Sequence, residues 1–167
     1  YGEQSVLEKH WAGARGRVMK GALTLFAQDA QTKLLLYTAA DIQREEADDQ
    51  VLAFLSFWKR VRRGVKPTLI FDSKFTTYEN LSKINQQGLK FITLRRRGHK
   101  LIQDIEGIGP WKRITIPHDK RKYPNPQVHE SNVALRGYEG EVRQIIVRGN
   151  GHEKPAFIIT NDHETLL

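Results

Sequence analysis

A short apolar run, a helix-like stretch and a second apolar run follow one another between residues 68 and 94. The first run, 68–71, is apolar at consecutive positions, which is typical of a strand covered on both faces within a parallel sheet. The helix-like stretch begins with Thr76 and Glu79, which have the spacing of a capping box, and the second run is 89–94. A strand, a helix and a strand joined by short connections form a right-handed crossover with a parallel pair, so the chain is predicted to be an α/β protein.

Two further elements are predicted before this unit. Residues 22–27 and 33–38 are apolar runs separated by a polar loop, which indicates an antiparallel hairpin. A following stretch has apolar residues at helical spacing, and these are Val51, Phe54, Leu55, Trp58 and Val61. Acids lie near the start of this helix and basic residues lie near its end, as the helix dipole favours. Asp41 is a candidate cap for it.

The pattern changes in the second half of the chain, where glycines and prolines interrupt short strand-like pieces. We therefore predict that residues 1–97 form the first part of the core. A β-rich insertion or long loop over residues 98–140 follows. Residues 141–148 and 155–160, joined by a Gly-Asn-Gly turn, predict two returning strands within the last segment, 141–167.

The charge balance favours a polyanionic partner. The chain has 27 Lys and Arg against 19 Asp and Glu, a net charge of +8, and its basic residues cluster within 59–63, 95–100 and 120–122. Such clusters neutralise phosphates and release counterions when a protein binds nucleic acid. Each cluster alone is equally compatible with a solvated face, but the three together favour nucleic-acid binding.

Several classes of protein and site lose support from the sequence. The absence of cysteine excludes disulfides and thiolate zinc sites and fits a reducing cytoplasm. No apolar run approaches the roughly 20 residues that cross a bilayer, so no membrane association is expected. The six histidines form no helical pair with a nearby Glu, which argues against a zinc hydrolase. Trp11, Trp58 and Trp111 are candidates for stacking on bases, although Trp58 is better explained by packing.

Asp72 is the residue that the pattern singles out. It directly follows the predicted strand 68–71, and open α/β sheets bind their ligands at the carboxyl ends of strands. A carboxylate presented there by a rigid element suits a divalent metal that prefers oxygen ligands. Taken alone, Asp72 is also compatible with a loop acid or an alternative helix cap.

Several segments resemble the catalytic domain of bacterial insertion-sequence transposases of the DDE class. The most specific is the block Asp-Ser-Lys-Phe-Thr-Thr-Tyr at 72–78, directly after the apolar run. Weaker similarities lie within 26–29, 37–41, 54–59, 91–97 and 159–162. The similarity covers most of the chain and is weak between about residues 98 and 133.

The resemblance implies a ribonuclease-H-like mixed sheet flanked by helices, with two Asp and one Glu binding two Mg²⁺ ions for DNA strand cleavage and strand transfer. Asp72 matches the second of these acids. The strand with the first acid and the helix with the third are expected to lie outside residues 1–167, so we expect a fragment truncated at both ends and inactive by itself. Asp162, which follows the last predicted strand, is a weaker candidate metal ligand.

The resemblance also implies partners and a location. The partners are transposon-end and target DNA, the active form is expected to be a homo-oligomer, and the location is a bacterial or archaeal cytoplasm. The residues expected to contact DNA phosphates are Lys74, Arg95, Arg96, Arg97 and Lys100, with a solvated sheet edge as the alternative. Two other functions stay open: a DNA-binding relic that has lost the chemistry, and a related nuclease that cuts without strand transfer.

Overall fold

A computed structural model of the chain describes residues 7–12, 15–96, 98–117 and 122–165. Contacts divide the chain into two compact units. One comprises the residues up to Val65 together with Lys74–Thr76, and the other comprises Lys66–Ser73 together with the residues from Thr77 onward. This division differs from the boundaries predicted at residues 97 and 140, because strands from both sides of those boundaries join a single sheet.

The first unit contains two antiparallel hairpins. Strand β1 (Glu8–Ala12) pairs with β2 (Arg17–Gly21), and β3 (Leu23–Gln28) pairs with β4 (Leu35–Ile42). The pairing of β3 with β4 confirms the hairpin predicted from the two apolar runs.

A 3-10 helix over Arg44–Asp49 leads into helix α1 (Gln50–Val61), which confirms the predicted amphipathic helix. Its buried apolar residues are Val51, Phe54 and Leu55. The proposed cap at Asp41 is wrong. Strand β4 continues through Asp41 to Ile42, so the helical segment begins only after Gln43, which occupies the cap position.

The second unit is built on a six-stranded mixed sheet with the order β5–β6–β10–β9–β8–β7. The strands are β5 (Leu69–Phe71), β6 (Phe91–Leu94), β7 (Lys112–Arg113), β8 (Gln127–Ala134), β9 (Glu141–Arg148) and β10 (Ala156–Thr160). Strands β5 and β6 are parallel, and all other neighbours are antiparallel. The predicted α/β class with a mixed sheet is thus confirmed.

Helix α2 (Tyr78–Gln86) connects β5 to β6 and confirms the predicted crossover. Its cap is Thr77, whose Oγ1 accepts a hydrogen bond from the backbone N–H of Asn80 at 3.1 Å. The predicted cap, Thr76, is one residue too early, because it is Thr77 that has the extended backbone of a cap position. Leu81 and Ile84 on the inner face of α2 are fully buried.

Residues 98–140 extend this same sheet. They contain α3 (His99–Gln103), a 3-10 helix over Asp104–Gly107, and the strands β7 and β8. Strand β8 pairs with β9 along its whole length, so this part of the segment belongs to the six-stranded sheet. Helix α3 was missed, because five residues are too few to show an amphipathic repeat.

The largest buried side chains of the sheet strands lie on one face of the sheet. Phe91, Phe157, Ile146 and Ile159 are fully buried there, and Ile105 packs against Ile146 and Phe157 together with Leu101, Ile108 and Trp111.

Strand β5 is an edge strand of the sheet, and Ile70 is 70% exposed. The prediction that 68–71 is covered on both faces is therefore wrong. Among the described residues, no helix combines the length and the apolar character that crossing a membrane requires.

Candidate active site at one end of the sheet

An open cleft of about 570 Å³ lies at one end of the six-stranded sheet. Asp72 follows β5 and Arg95 follows β6, and the carboxyl ends of these parallel strands meet at the same edge. Strand β10 runs antiparallel to β6, so the turn that enters β10 lies at this end as well. The cleft is lined by residues 72–73, 94–96, 152–154 and 156–157.

The backbone that carries Asp72 is fixed on both sides. Before Asp72, the carbonyl oxygen of Phe71 accepts a hydrogen bond from Thr93 Oγ1 at 2.8 Å. After Asp72, the carbonyl oxygen of Ser73 accepts bonds from Arg96 Nη2 at 2.9 Å and from Arg96 Nε at 3.3 Å. Asp72 is exposed in the cleft. The structure therefore places it, as predicted, at a strand end on a rigid support.

Arg95 and Arg96, which follow β6, line the cleft and also donate hydrogen bonds to other residues of the second unit. The backbone N–H of Arg95 donates to the carbonyl oxygen of Phe157 at 2.8 Å, and its guanidinium donates to Oε1 of the buried Gln144 on β9. Arg96 is held by Ser73. Both positive charges are thus fixed near Asp72, while part of their hydrogen-bonding capacity serves the fold.

The other predicted DNA contacts are placed differently. Lys74 is exposed in the 3-10 turn Ser73–Phe75, and Lys100 is exposed on α3. In the part of the chain that the structure describes, neither of them lines the cleft. Arg97 lies outside the described residues.

Three residues of the β9–β10 turn, His152, Glu153 and Lys154, line the cleft and were not predicted. All three are exposed. The sequence marks them only as part of a turn, because their position beside Asp72 depends on β10 pairing with β6, which no local pattern reveals. Glu153 gives the cleft a second carboxylate, and Lys154 gives it another positive charge.

Tyr123 packs directly against this turn. Gly151 has a positive φ of 92°, and a Cβ atom at this position would lie 2.2 Å from Cε2 of the Tyr123 ring. The turn therefore requires glycine both for its backbone conformation and for the close approach of the ring.

Asp162 lies at the opposite end of the sheet from Asp72. Asp72 follows Phe71, which pairs with Thr93, whereas Asp162 contacts Lys90 with 3.1 Å between Oδ1 and Nζ. The two acids are thus about four residues apart along β6, or roughly 13 Å at the rise of a strand. Ligands of one Mg²⁺ each lie about 2.1 Å from it. The structure therefore does not bring Asp162 to a metal ion at Asp72.

Asp162 instead fixes the turn that follows β10. Its Oδ2 accepts a bond from Thr165 Oγ1 at 2.6 Å, and its Oδ1 accepts bonds from the backbone N–H groups of Glu164 and Thr165 at 3.2 and 3.3 Å. The Thr165 hydroxyl, followed by the Lys90 ammonium, holds the pKa of Asp162 well below its ordinary value. These bonds favour the ionised carboxylate.

This lowered pKa makes the contribution of Asp162 to stability depend on pH. Since the folded pKa lies below the unfolded value of about 3.9, the contribution is present above that value and is lost as the pH falls toward the folded pKa. We expect Asp162→Asn to lower the free energy of unfolding near neutral pH. The difference from the wild type should shrink below about pH 4, which urea denaturation at a series of pH values would measure.

Glu164→Gln is a suitable control, because the Glu164 side chain is 91% exposed and lies 3.9 Å from the same Lys90. It should change stability little at any pH. A constant difference between Asp162→Asn and the wild type across the pH series would contradict the assigned role of Asp162.

Among the described residues, no three His, Cys, Asp or Glu side chains are placed to hold a metal ion together. Comparison of the chain with protein-family models, with curated proteins and with solved structures found no match. Its function is therefore inferred from the fold and the cleft.

Proposed function

We propose that this chain belongs to the catalytic domain of a DDE-class DNA transposase with a ribonuclease-H-like fold, and that Asp72 is one of its magnesium ligands. The observation that carries the proposal is an exposed carboxylate at the carboxyl end of a parallel strand, in a cleft that Arg95, Arg96 and Lys154 make basic. A carboxylate beside two fixed arginines and a lysine fits a metal-bound phosphate better than it fits a neutral ligand.

The donor set of the cleft fits magnesium. Asp72 and Glu153 offer carboxylate oxygens, which this hard cation prefers. When bound, the metal would stabilise negative charge on the attacking and leaving oxygens of phosphoryl transfer. Arg95 and Lys154 would attract the DNA backbone, and the bonds from Thr93 and Arg96 to the residues on either side of Asp72 would limit movement of the main chain that carries its carboxylate.

The mixed sheet supports the proposed fold through its parallel pair, which is joined by α2 and carries Asp72. The proposal includes the transposon ends and target DNA as partners, a homo-oligomer as the active form, and a bacterial or archaeal cytoplasm as the location. The complete protein would use water as the nucleophile for strand cleavage and a freed 3′ hydroxyl for strand transfer.

DNA binding by the cleft is tested by removing one of its cations. We expect the chain to bind duplex DNA with an affinity that falls as salt rises, because bound phosphates release counterions. Lys154→Gln should reduce the slope of log affinity against log salt by about 1, since it removes about one phosphate contact. Fluorescence anisotropy with a labelled duplex at several salt concentrations measures the slope.

Lys83→Gln, the same change on α2 outside the cleft, is the matched control and should leave the slope unchanged. A Lys154→Gln slope equal to that of the wild type would contradict DNA binding in this cleft. Binding without magnesium-dependent cleavage by the complete protein would favour the relic, and cleavage without strand transfer would favour the nuclease.

A further inference from the structure

Arg148, the last residue of β9, is held in place by two neighbours. Its Nε donates a hydrogen bond to Oε1 of Gln127 at 2.8 Å, and its guanidinium carbon lies 3.8 Å from the centre of the Trp111 ring. Trp111 itself packs against the buried core residues Ile146 and Phe157. The guanidinium therefore rests on an aromatic platform that is anchored in the core.

Arg148 is exposed and keeps hydrogen-bond donors that its bond to Gln127 does not use. Gln127 takes the Nε edge of the guanidinium and Trp111 covers one of its faces, yet the residue as a whole is exposed. Within the described ranges, no carboxylate lies at ion-pair distance from Arg148. A fixed guanidinium without an acidic partner suits a phosphate, because its planar fork matches two phosphate oxygens and little entropy is lost on binding.

The strand register places Arg148 at the same end of the sheet as the cleft. Arg148 pairs with Gln127, the first residue of β8, while Val147 pairs with Ala156, which lines the cleft. Strand β10 alone separates β9 from β6. Leu94 at the end of β6 lies level with Ile145, three residues before Arg148. Two strand spacings of about 4.8 Å and three residues of about 3.3 Å along the strand put the end of β9 roughly 14 Å from the end of β6.

Further cations lie along this end of the sheet. Lys112 and Arg113 on β7 are exposed and pair with Val128 and Gln127 at the start of β8. From β5 to β7 the sheet spans five strand spacings, or roughly 24 Å. This is the length of about seven base pairs of duplex DNA at 3.4 Å each.

The opposite end of the sheet has a different character. It carries the acids Glu139 and Glu141 around the start of β9 and the acids Asp162 and Glu164 after β10. Two cations, Lys90 and Arg136, lie at this end as well. Cations are therefore in excess only at the end with Arg148 and the cleft, even with Asp72 and Glu153 there, and a polyanion is attracted to that end.

We propose that Arg148, on its Trp111 platform, binds a phosphate of double-stranded DNA, and that Lys112, Arg113, Arg148 and Lys154 form one continuous contact with the DNA backbone beside Asp72. The proposal rests on the proposed function, since it takes DNA as the partner. It adds that β7 and β9 extend the DNA site by several base pairs beyond the cleft.

The test compares Arg148→Gln with Arg136→Gln in this chain, using a labelled duplex of about 20 base pairs, which exceeds the span of the sheet. Arg136 is an exposed arginine in the turn between β8 and β9, at the opposite end of the sheet. We expect Arg148→Gln to raise the Kd about tenfold or more and to lower the salt slope by about 1. Arg136→Gln should bind as the wild type does. An equal loss of DNA affinity in both variants would mean that only the net charge of the chain matters, and this result would overturn the proposal.

Arg148→Lys tests whether binding needs the planar guanidinium group or only its positive charge. Lysine keeps the charge but lacks the planar fork that stacks on Trp111 and bonds two oxygens at once. We expect its salt slope to stay near that of the wild type while its affinity falls several-fold. Full affinity of Arg148→Lys would show that the platform plays no part. Thermal unfolding of each variant establishes that the fold is kept.

Failure of this inference is distinguishable from failure of the proposed function. If the wild type binds duplex DNA and Lys154→Gln weakens it while Arg148→Gln does not, the DNA site is confined to the cleft and only the extension is wrong. If the wild type shows no salt-dependent binding to the duplex, both proposals are wrong.

Discussion

Asp72→Asn should abolish magnesium-dependent DNA cleavage by the complete protein while leaving its affinity for DNA nearly unchanged. The asparagine keeps the size of the side chain and one carbonyl oxygen but removes the negative charge that a metal ion requires. A metal ion contributes several kcal/mol of transition-state stabilisation, and each 1.4 kcal/mol is tenfold in rate, so we expect a loss of at least about 10³-fold. Cleavage rates on a labelled transposon end with Mg²⁺ measure it.

Asp162→Asn is the matched control for this experiment. It makes the same chemical change at the opposite end of the sheet, where the carboxylate is held by Lys90 and Thr165. At neutral pH this variant should cleave at a rate close to that of the wild type. Cleavage by Asp72→Asn at the wild-type rate would remove Asp72 from the active site.

The same assignment has a spectroscopic test. Paramagnetic Mn²⁺ in place of Mg²⁺ should broaden the amide signals of residues 72–73 in the presence of DNA, and Asp72→Asn should remove this broadening. Broadening centred on Asp162 would place the metal at the wrong end of the sheet for the proposed function.

Phe157→Ala should destabilise the second unit by about 3–5 kcal/mol. Phe157 is 1% exposed and packs against Ile105 and Ile146, on a strand that lies between β6 and β9. Removal of the ring leaves a cavity beside the strands that form the cleft. Since a domain is typically stable by about 5–15 kcal/mol, the variant should unfold at a much lower urea concentration. Tryptophan fluorescence follows the transition, because Trp111 packs on the same cluster.

Phe26→Ala is the control, since Phe26 lies on β3 and is 63% exposed. The loss of an exposed ring should change the free energy of unfolding by about 0.5 kcal/mol or less. Equal destabilisation by the two substitutions would mean that Phe157 does not occupy the centre of the core.

The elements that the sequence predicts correctly are those formed by neighbouring residues. The β5–α2–β6 unit, the β3–β4 hairpin, helix α1 and the β9–β10 pair each lie within a short stretch of chain. Their apolar spacing and turn residues are therefore visible in the sequence.

The order of the strands in the sheet cannot be predicted from apolar spacing and turn residues. Thr93 pairs with Ile159, so the parallel pair β5–β6 is joined to the rest of the sheet by contacts between residues that are distant in the sequence. Asp72 was placed correctly at a strand end because its strand is visible in the local sequence. Glu153 and Lys154 were missed because their position depends on a pairing between distant strands. Their turn reaches the cleft only because β10 returns antiparallel to β6.

The direction of β10 also explains Asp162. An acid that follows a strand was predicted to lie near Asp72, but the strand runs the opposite way and carries Asp162 to the other end of the sheet. Similarly, the apolar run at 68–71 predicted a strand covered on both faces. An edge strand with an exposed Ile70 has the same local sequence, because the number of neighbouring strands is not encoded in the run itself.

The packing of Tyr123 on Gly151 joins one wall of the cleft to a part of the chain that contributes none of its lining residues. A smaller or larger side chain at position 123 would change the packing against Gly151 and so the position of the β9–β10 turn. Glu153 and Lys154 would then move together, while the residues around Asp72 keep their contacts. Variation at this one position therefore offers a way to alter the shape of the cleft while Asp72, the acid that is proposed to bind the metal, stays where it is.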